Sequence, residues 1–183
     1  NQTLTSLDLS DCYGIGDKGW TALADSLKFN HVLTDISLSE KLGCGEDDVH
    51  NGMRDAGCKA LAESLKINRA LKTLHLSGCE RIRVAGFTAL AEALKTNETL
   101  TSLDIAMSPG VRDEVCTALG ESLKINRALT SMDLSLCKSI GEEGCKALAE
   151  GLLSNKALTS INLKGCTGIG VEGCRALAES LQS

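Results

Sequence analysis

Residues 4–12, LTSLDLSDC, return as LKTLHLSGC at 71–79, as LTSMDLSLC at 129–137 and as LTSINLKGC at 158–166. A chain that repeats itself at a fixed period cannot close a separate core in every copy, so the period governs the fold before any local propensity does. The leading leucines are Leu4, Leu33, Leu71, Leu100, Leu129 and Leu158, and their spacings are 29, 38, 29, 29 and 29. Three positions before each stands an asparagine: Asn1, Asn30, Asn68, Asn97, Asn126 or Asn155. The chain thus divides into six units, 1–29, 30–67, 68–96, 97–125, 126–154 and 155–183, the second with an insertion over about 41–57. Neither end unit diverges as a cap would, and the expectation is a single array cut from a longer one.

Within a unit the first part alternates apolar and polar residues, the period of a half-buried strand. Leu7 and Leu9 face one way; Ser6, Asp8 and Ser10 face the other. The second part, GCKALAESLKI in unit two, places Cys58, Leu61, Ala62 and Leu65 on one stripe of a helix. The asparagine after each helix is expected to end it in the left-handed conformation, which a short amide tolerates. A strand and a helix in tandem demand parallel strands with helices on the other side. Helices are wider than strands, so the fold class is an α/β solenoid, a horseshoe arc with the sheet on the concave face and helices on the convex face.

The consensus L-x-x-L-x-L-x-x-C followed by a helical GCKALAESL resembles the leucine-rich repeat over the whole chain. Its repeat length places the resemblance in the ribonuclease-inhibitor-like subtype, the long end of the repeat's range. The resemblance implies a right-handed arc and a protein partner, as in ribonuclease inhibitors, the sensing regions of NOD-like receptors, Ran GTPase-activating proteins and tropomodulin-like actin regulators. Such a fold sets shape rather than task. The leading expectation is a non-catalytic scaffold. GTPase activation is implied only by the Ran-regulator likeness, and no loop residue maps onto it one by one. A purely structural array is the third reading.

Composition removes other classes. The net charge of −5 comes without a basic block, so nucleic acid is not an expected partner. No apolar run approaches the roughly 18 to 20 residues that cross a bilayer, so neither is a membrane. The chain opens without the charged-then-apolar order of a signal peptide. Nine cysteines cannot all pair within one chain, and the nearest, Cys137 with Cys145 and Cys166 with Cys174, lie eight apart, unlike zinc ligands. No cofactor or metal is expected. Cys12, Cys79, Cys137 and Cys166 end strands, while Cys58, Cys116, Cys145 and Cys174 open helix stripes. Cys44 lies three positions after Lys41. All nine are expected to be small buried residues in a reducing, cytoplasmic setting.

The concave face reads as columns. Asp8, Asp11, Asp35, Glu40, Asp104 and Asp133 stand there against a single lysine, Lys164, with His75 among them. Met107 and Leu136 make the one apolar spot and are the candidate anchors. A basic protein partner is expected, the plain alternative being a solvated acidic face. Secondary candidates are Asp47, Asp48 and His50 in the insertion and Arg81, Arg83 and Arg112 on the turns into the helices. The insertion lacks the ligand spacing of a calcium loop. GIGDKG and GIGVEG are expected to be turns, since they lack the ending of a phosphate loop.

Overall fold

The structure, a computed structural model, describes residues 1–41 and 52–182. Along the chain β1 (Ser6–Asp8), α1 (Gly16–Leu27), β2 (Asp35–Ser37), α2 (Asp55–Leu65), β3 (Thr73–His75), α3 (Val84–Leu94), β4 (Ser102–Asp104), α4 (Asp113–Ile125), β5 (Ser131–Asp133), α5 (Glu142–Ser154), β6 (Ser160–Asn162) and α6 (Gly170–Ser180) alternate strictly. The strands form one sheet in the order β1 to β6, every neighbouring pair parallel. Each helix packs on the helices before and after it in sequence. The fold is the α/β repeat solenoid expected. Strands sit about 4.8 Å apart and helices about 8–10 Å apart, which bends the stack toward its sheet.

Between the two layers lies an aliphatic core. Ile36, Leu74, Leu103 and Met132 point inward from successive strands at no more than 1% exposure, and the helix stripe Cys58, Leu61, Ala62 and Leu65 meets them at no more than 2%. The ladder runs on past each strand: Leu38, Leu76, Ile105 and Leu134 donate their N–H groups to His75, Asp104, Asp133 and Asn162 of the next unit.

Two expectations need correction. No asparagine among the described residues has a positive φ. Asn126 (φ −64°, ψ 135°) and Asn155 (φ −81°, ψ 129°) are extended. This backbone lets Oδ1 of Asn97 accept the N–H groups of Thr99 (3.0 Å) and Leu100 (2.8 Å) while its Nδ2 donates to Leu65 O in the preceding helix. Asn68, Asn126 and Asn155 repeat the arrangement onto Leu27, Leu94 and Leu123. The asparagines are rungs of a buried ladder, using donor and acceptor ends at once.

Nor are all the cysteines buried. Cys12 and Cys174 are exposed, because the first and last units stack on one side only, and Cys44 lies outside the described residues. Cys79, Cys137 and Cys166 are buried, their thiols donating to Leu38 O (3.6 Å), Ile105 O (3.4 Å) and Leu134 O (3.2 Å) of the preceding units. Ser108 does the same for Leu76 O.

Candidate functional site

The sheet register aligns Asp8, Ser37, His75, Asp104, Asp133 and Asn162 in one column and Ser6, Asp35, Thr73, Ser102, Ser131 and Ser160 in the next. Each aspartate of the first column spends one oxygen locally. Oδ1 of Asp8, Asp104 and Asp133 accepts the N–H two positions on, from Ser10 (2.9 Å), Ala106 (3.0 Å) and Ser135 (2.8 Å). For Asp104 and Asp133 the second oxygen meets a neighbouring unit. His75 Nδ1 lies 3.4 Å from Asp104 Oδ2, and Asn162 Nδ2 donates to Asp133 Oδ2 at 2.9 Å.

These bonds keep the face charged. The Ser10 hydroxyl and N–H hold the Asp8 carboxyl below the usual range, and the Thr34 and Thr73 hydroxyls do so for Asp35. At Asp133 burial pushes upward, but hydrogen bonds from Ser135 and Asn162 outweigh it and the net direction is down. A hollow of about 410 Å3 lies over β1 to β3, with Asp8, Asp35, Ser37 and His75 on its wall.

The column where the chain leaves the sheet has unusual backbone. Asp11 (φ 59°), Gly78 (φ 72°), Met107 (φ 55°), Leu136 (φ 60°) and Gly165 (φ 74°) are all left-handed. Glycine suits such a position, whereas a branched or long side chain there is strained. The N–H groups still complete the ladder, Met107 to Ser135 O (2.8 Å) and Leu136 to Lys164 O (2.7 Å). Leu136 is 43% exposed, and its Cδ2 lies 2.5 Å from where a Cβ on Gly165 would stand, so it leans over that glycine. Met107 beside it is half-buried. The sequence marks both residues as apolar outliers, but their backbone conformation is visible only in the structure.

The remaining two acids of the face, Asp11 and Glu40, bond to the chain around the insertion. Asp11 Oδ1 accepts Tyr13 OH and Lys41 N, both at 2.8 Å. Glu40 is half-buried and accepts Met53 N at 2.8 Å where the chain returns from the insertion. Burial pushes its carboxyl up, with the Met53 N–H opposing.

Asp47, Asp48 and His50 lie outside the described residues. Arg83 and Arg112 are exposed immediately before α3 and α4, and Arg81 is half-buried beside Arg83. Arg54 holds the same place before α2, and counting units from the strand misses it, although it precedes Arg83 by the same interval that separates Arg83 from Arg112. Aligning units on the helix stripe recovers it. Among the described residues no group of three or more His, Cys, Asp or Glu side chains is placed to hold a metal ion, and no helix is long and apolar enough to cross a membrane.

A family model described as Leucine Rich repeat matches residues 1–24, 68–91, 126–149 and 154–178, more than half of the chain. No curated protein matches it. Among solved structures, the leiomodin-1 actin-binding site 2 aligns with a TM-score of 0.66 at 19% identity, over 87% of each chain. The C-terminal domain of Caenorhabditis elegans tropomodulin aligns at 0.60 and 9% identity, over 100% of this chain and 84% of that one. A chain of the yeast Rad7–Elc1 complex aligns at 0.56 and 21% identity, over 79% of this chain and 32% of that one.

Proposed function

The chain belongs to the leucine-rich repeat family, and from that premise we propose that it is a non-catalytic scaffold whose concave sheet face binds a basic protein partner. The observation that carries this reading is the pair Met107 and Leu136. Two large apolar side chains sit at left-handed positions that units three and six fill with Gly78 and Gly165 and unit one with Asp11, and Leu136 stays exposed. Residues kept in strained backbone cluster at sites of recognition. Asp104 and Asp133 stand three positions before them on adjacent strands, their charge fixed in place by local hydrogen bonds. The pair supplies an apolar anchor and the carboxylates supply steering and register, the usual division of labour at an interface.

The relatives in shape support the class of partner. An actin-binding site is built on this fold in leiomodin-1, and Rad7 is solved in complex with Elc1. The regular repeat spacing supports the ribonuclease-inhibitor-like subtype and a single array of six units over residues 1–183. Among the described residues eight cysteines are free, six of them buried as thiols, which supports a reducing compartment such as the cytoplasm.

The test compares the native chain with an Asp104→Lys, Asp133→Lys, Leu136→Glu variant as bait in extract, after circular dichroism has matched their folds. A protein retained by the native chain and lost by the variant supports the reading. Equal recovery overturns it.

A further inference from the structure

Asn97, Glu98 and Thr99 spell N-x-T, the acceptor signal for N-linked glycosylation, and so do Asn1, Gln2 and Thr3 at the same repeat position. The other units follow their asparagine with His31-Val32, Arg69-Ala70, Arg127-Ala128 and Lys156-Ala157, which supply no hydroxyl. Acceptors of this kind belong on surface loops, because a bulky, hydrated sugar does not pack in a core. Asn97 is 1% exposed. Its Nδ2 donates to Leu65 O (2.7 Å) and Asn68 O (3.4 Å), while its Oδ1 accepts the N–H groups of Thr99 (3.0 Å) and Leu100 (2.8 Å). Thr99 Oγ1 is itself buried and has no hydrogen-bond partner among the described residues. Asn1 differs. It is exposed, its Oδ1 accepts the N–H groups of Thr3 (2.8 Å) and Leu4 (2.7 Å), and its Nδ2 makes no hydrogen bond to a described residue.

We propose that Asn97 is a glycosylation site of the unfolded chain alone, and that glycan and fold exclude one another. In the transfer Nδ2 attacks the anomeric carbon of a lipid-linked oligosaccharide diphosphate. The C–N bond forms as the C–O bond to the diphosphate breaks, and Nδ2 gives up one proton. In the folded chain this nitrogen is turned into the array toward two carbonyls, so the folded chain is no substrate. In the unfolded chain the same three residues are free. A sugar added there would claim the space from which Leu65 and Asn68 present their carbonyls, and the asparagine rung at the start of unit four could not close. Three residues thus restrict where the array can form: it reaches this fold only where oligosaccharyl transfer does not occur. The argument uses neither the thiols nor the concave face, so it stands or falls independently of both.

The experiment translates the chain behind a cleavable signal peptide and a short spacer, in a cell-free system with endoplasmic-reticulum microsomes, with dithiothreitol keeping the thiols reduced. Glycans are counted by endoglycosidase shifts on gels, and folding is read as resistance to protease once detergent has opened the microsomes. A Thr3→Val chain keeps the acceptor at Asn97 alone. It is expected to take a glycan there and to lose protease half-life about tenfold or more against the same chain made without microsomes, the scale for orphaning a buried hydrogen-bond partner. A Thr99→Val chain keeps the acceptor at Asn1 alone. Valine holds the shape of threonine and removes a hydroxyl that has no partner, so this chain is expected to take a glycan and stay as resistant as its unglycosylated form. A chain with both substitutions takes no glycan and is expected to stay resistant in the lumen. Equal resistance of the Asn97-glycosylated chain and its unmodified form overturns the proposal, as does a glycan on Asn1 with none on Asn97. So does equal loss in the Thr99→Val chain or in the doubly substituted chain, which would assign the loss to any sugar or to the lumen rather than to Asn97.

Discussion

The carboxamide Nδ2 of Asn97 donates to the carbonyl oxygen of Leu65, one unit earlier, at 2.7 Å. Asn97 is 1% exposed, and its Oδ1 holds the N–H groups of Thr99 and Leu100. Removing a buried group that serves both donors and acceptors orphans its partners at about 1–3 kcal/mol each. Asn97→Ala is therefore expected to cost about 3 kcal/mol in urea unfolding, because more than one buried partner is left bare. Asn97→Asp keeps the acceptor and loses the donor. Its buried carboxyl would sit above the normal range, so the variant should lose more stability than the native chain does as pH rises from 4 to 7.

Leu136→Gly separates stability from binding. Glycine relieves the left-handed backbone, a gain of about 1 kcal/mol or less once its greater unfolded-state freedom is counted. Urea unfolding should show stability unchanged or slightly raised, while retention of the partner falls. Gly78→Ala should do the reverse of relief. Its Cβ would run into the Glu40 carbonyl at a φ of 72°, and the expected result is clear destabilisation.

Thiol reactivity should divide the cysteines by place in the array. Burial pushes the Cys137 thiol up to about 12 and the Cys145 thiol up to about 11, and raises Cys58, Cys79, Cys116 and Cys166 as well. At pH 8 iodoacetamide is expected to label exposed Cys12 and Cys174 quickly and these six only after unfolding, read by peptide mass mapping. The same shifts have a sign in stability. Groups raised in the fold stabilise it fully below the unfolded thiol range and lose that contribution as pH rises toward their folded values. Unfolding midpoints should therefore fall between about pH 8.5 and 11, the ordinary thiol pKa marking the onset.

Glu40 makes a second pH prediction. Its carboxyl is raised by burial, so the native chain loses this contribution as pH climbs through the carboxylate range. Glu40→Gln still offers an oxygen to Met53 N–H and carries no charge. The stability of the variant relative to native should improve from pH 4 to pH 7, measured by urea unfolding at each pH.

The repeat spacing was enough to place every strand and helix, because inward positions such as Leu74, Leu103 and Met132 carry the pattern in their own chemistry. The asparagines misled, because an amide's tolerance of positive φ is a local property, whereas Asn68 and Asn97 answer to carbonyls one unit away. The same holds at the site. Columns of Asp104 and Asp133 follow from alternation alone. That Glu40 turns to the insertion's return, or that Met107 and Leu136 sit at positive φ, depends on how neighbouring units stack. Arg54 was legible at the repeat interval before Arg83 but was hidden by counting from the strand, across the insertion.

The central claim is that the partner lies on the concave face, and a photo-crosslinking amino acid tests it directly. One chain carries the crosslinker at position 136, beside the sheet, and another at position 117, exposed on α4. With the partner recovered by the native chain, the account predicts covalent capture from position 136 and little from 117. Capture from 117 with none from 136 would contradict it.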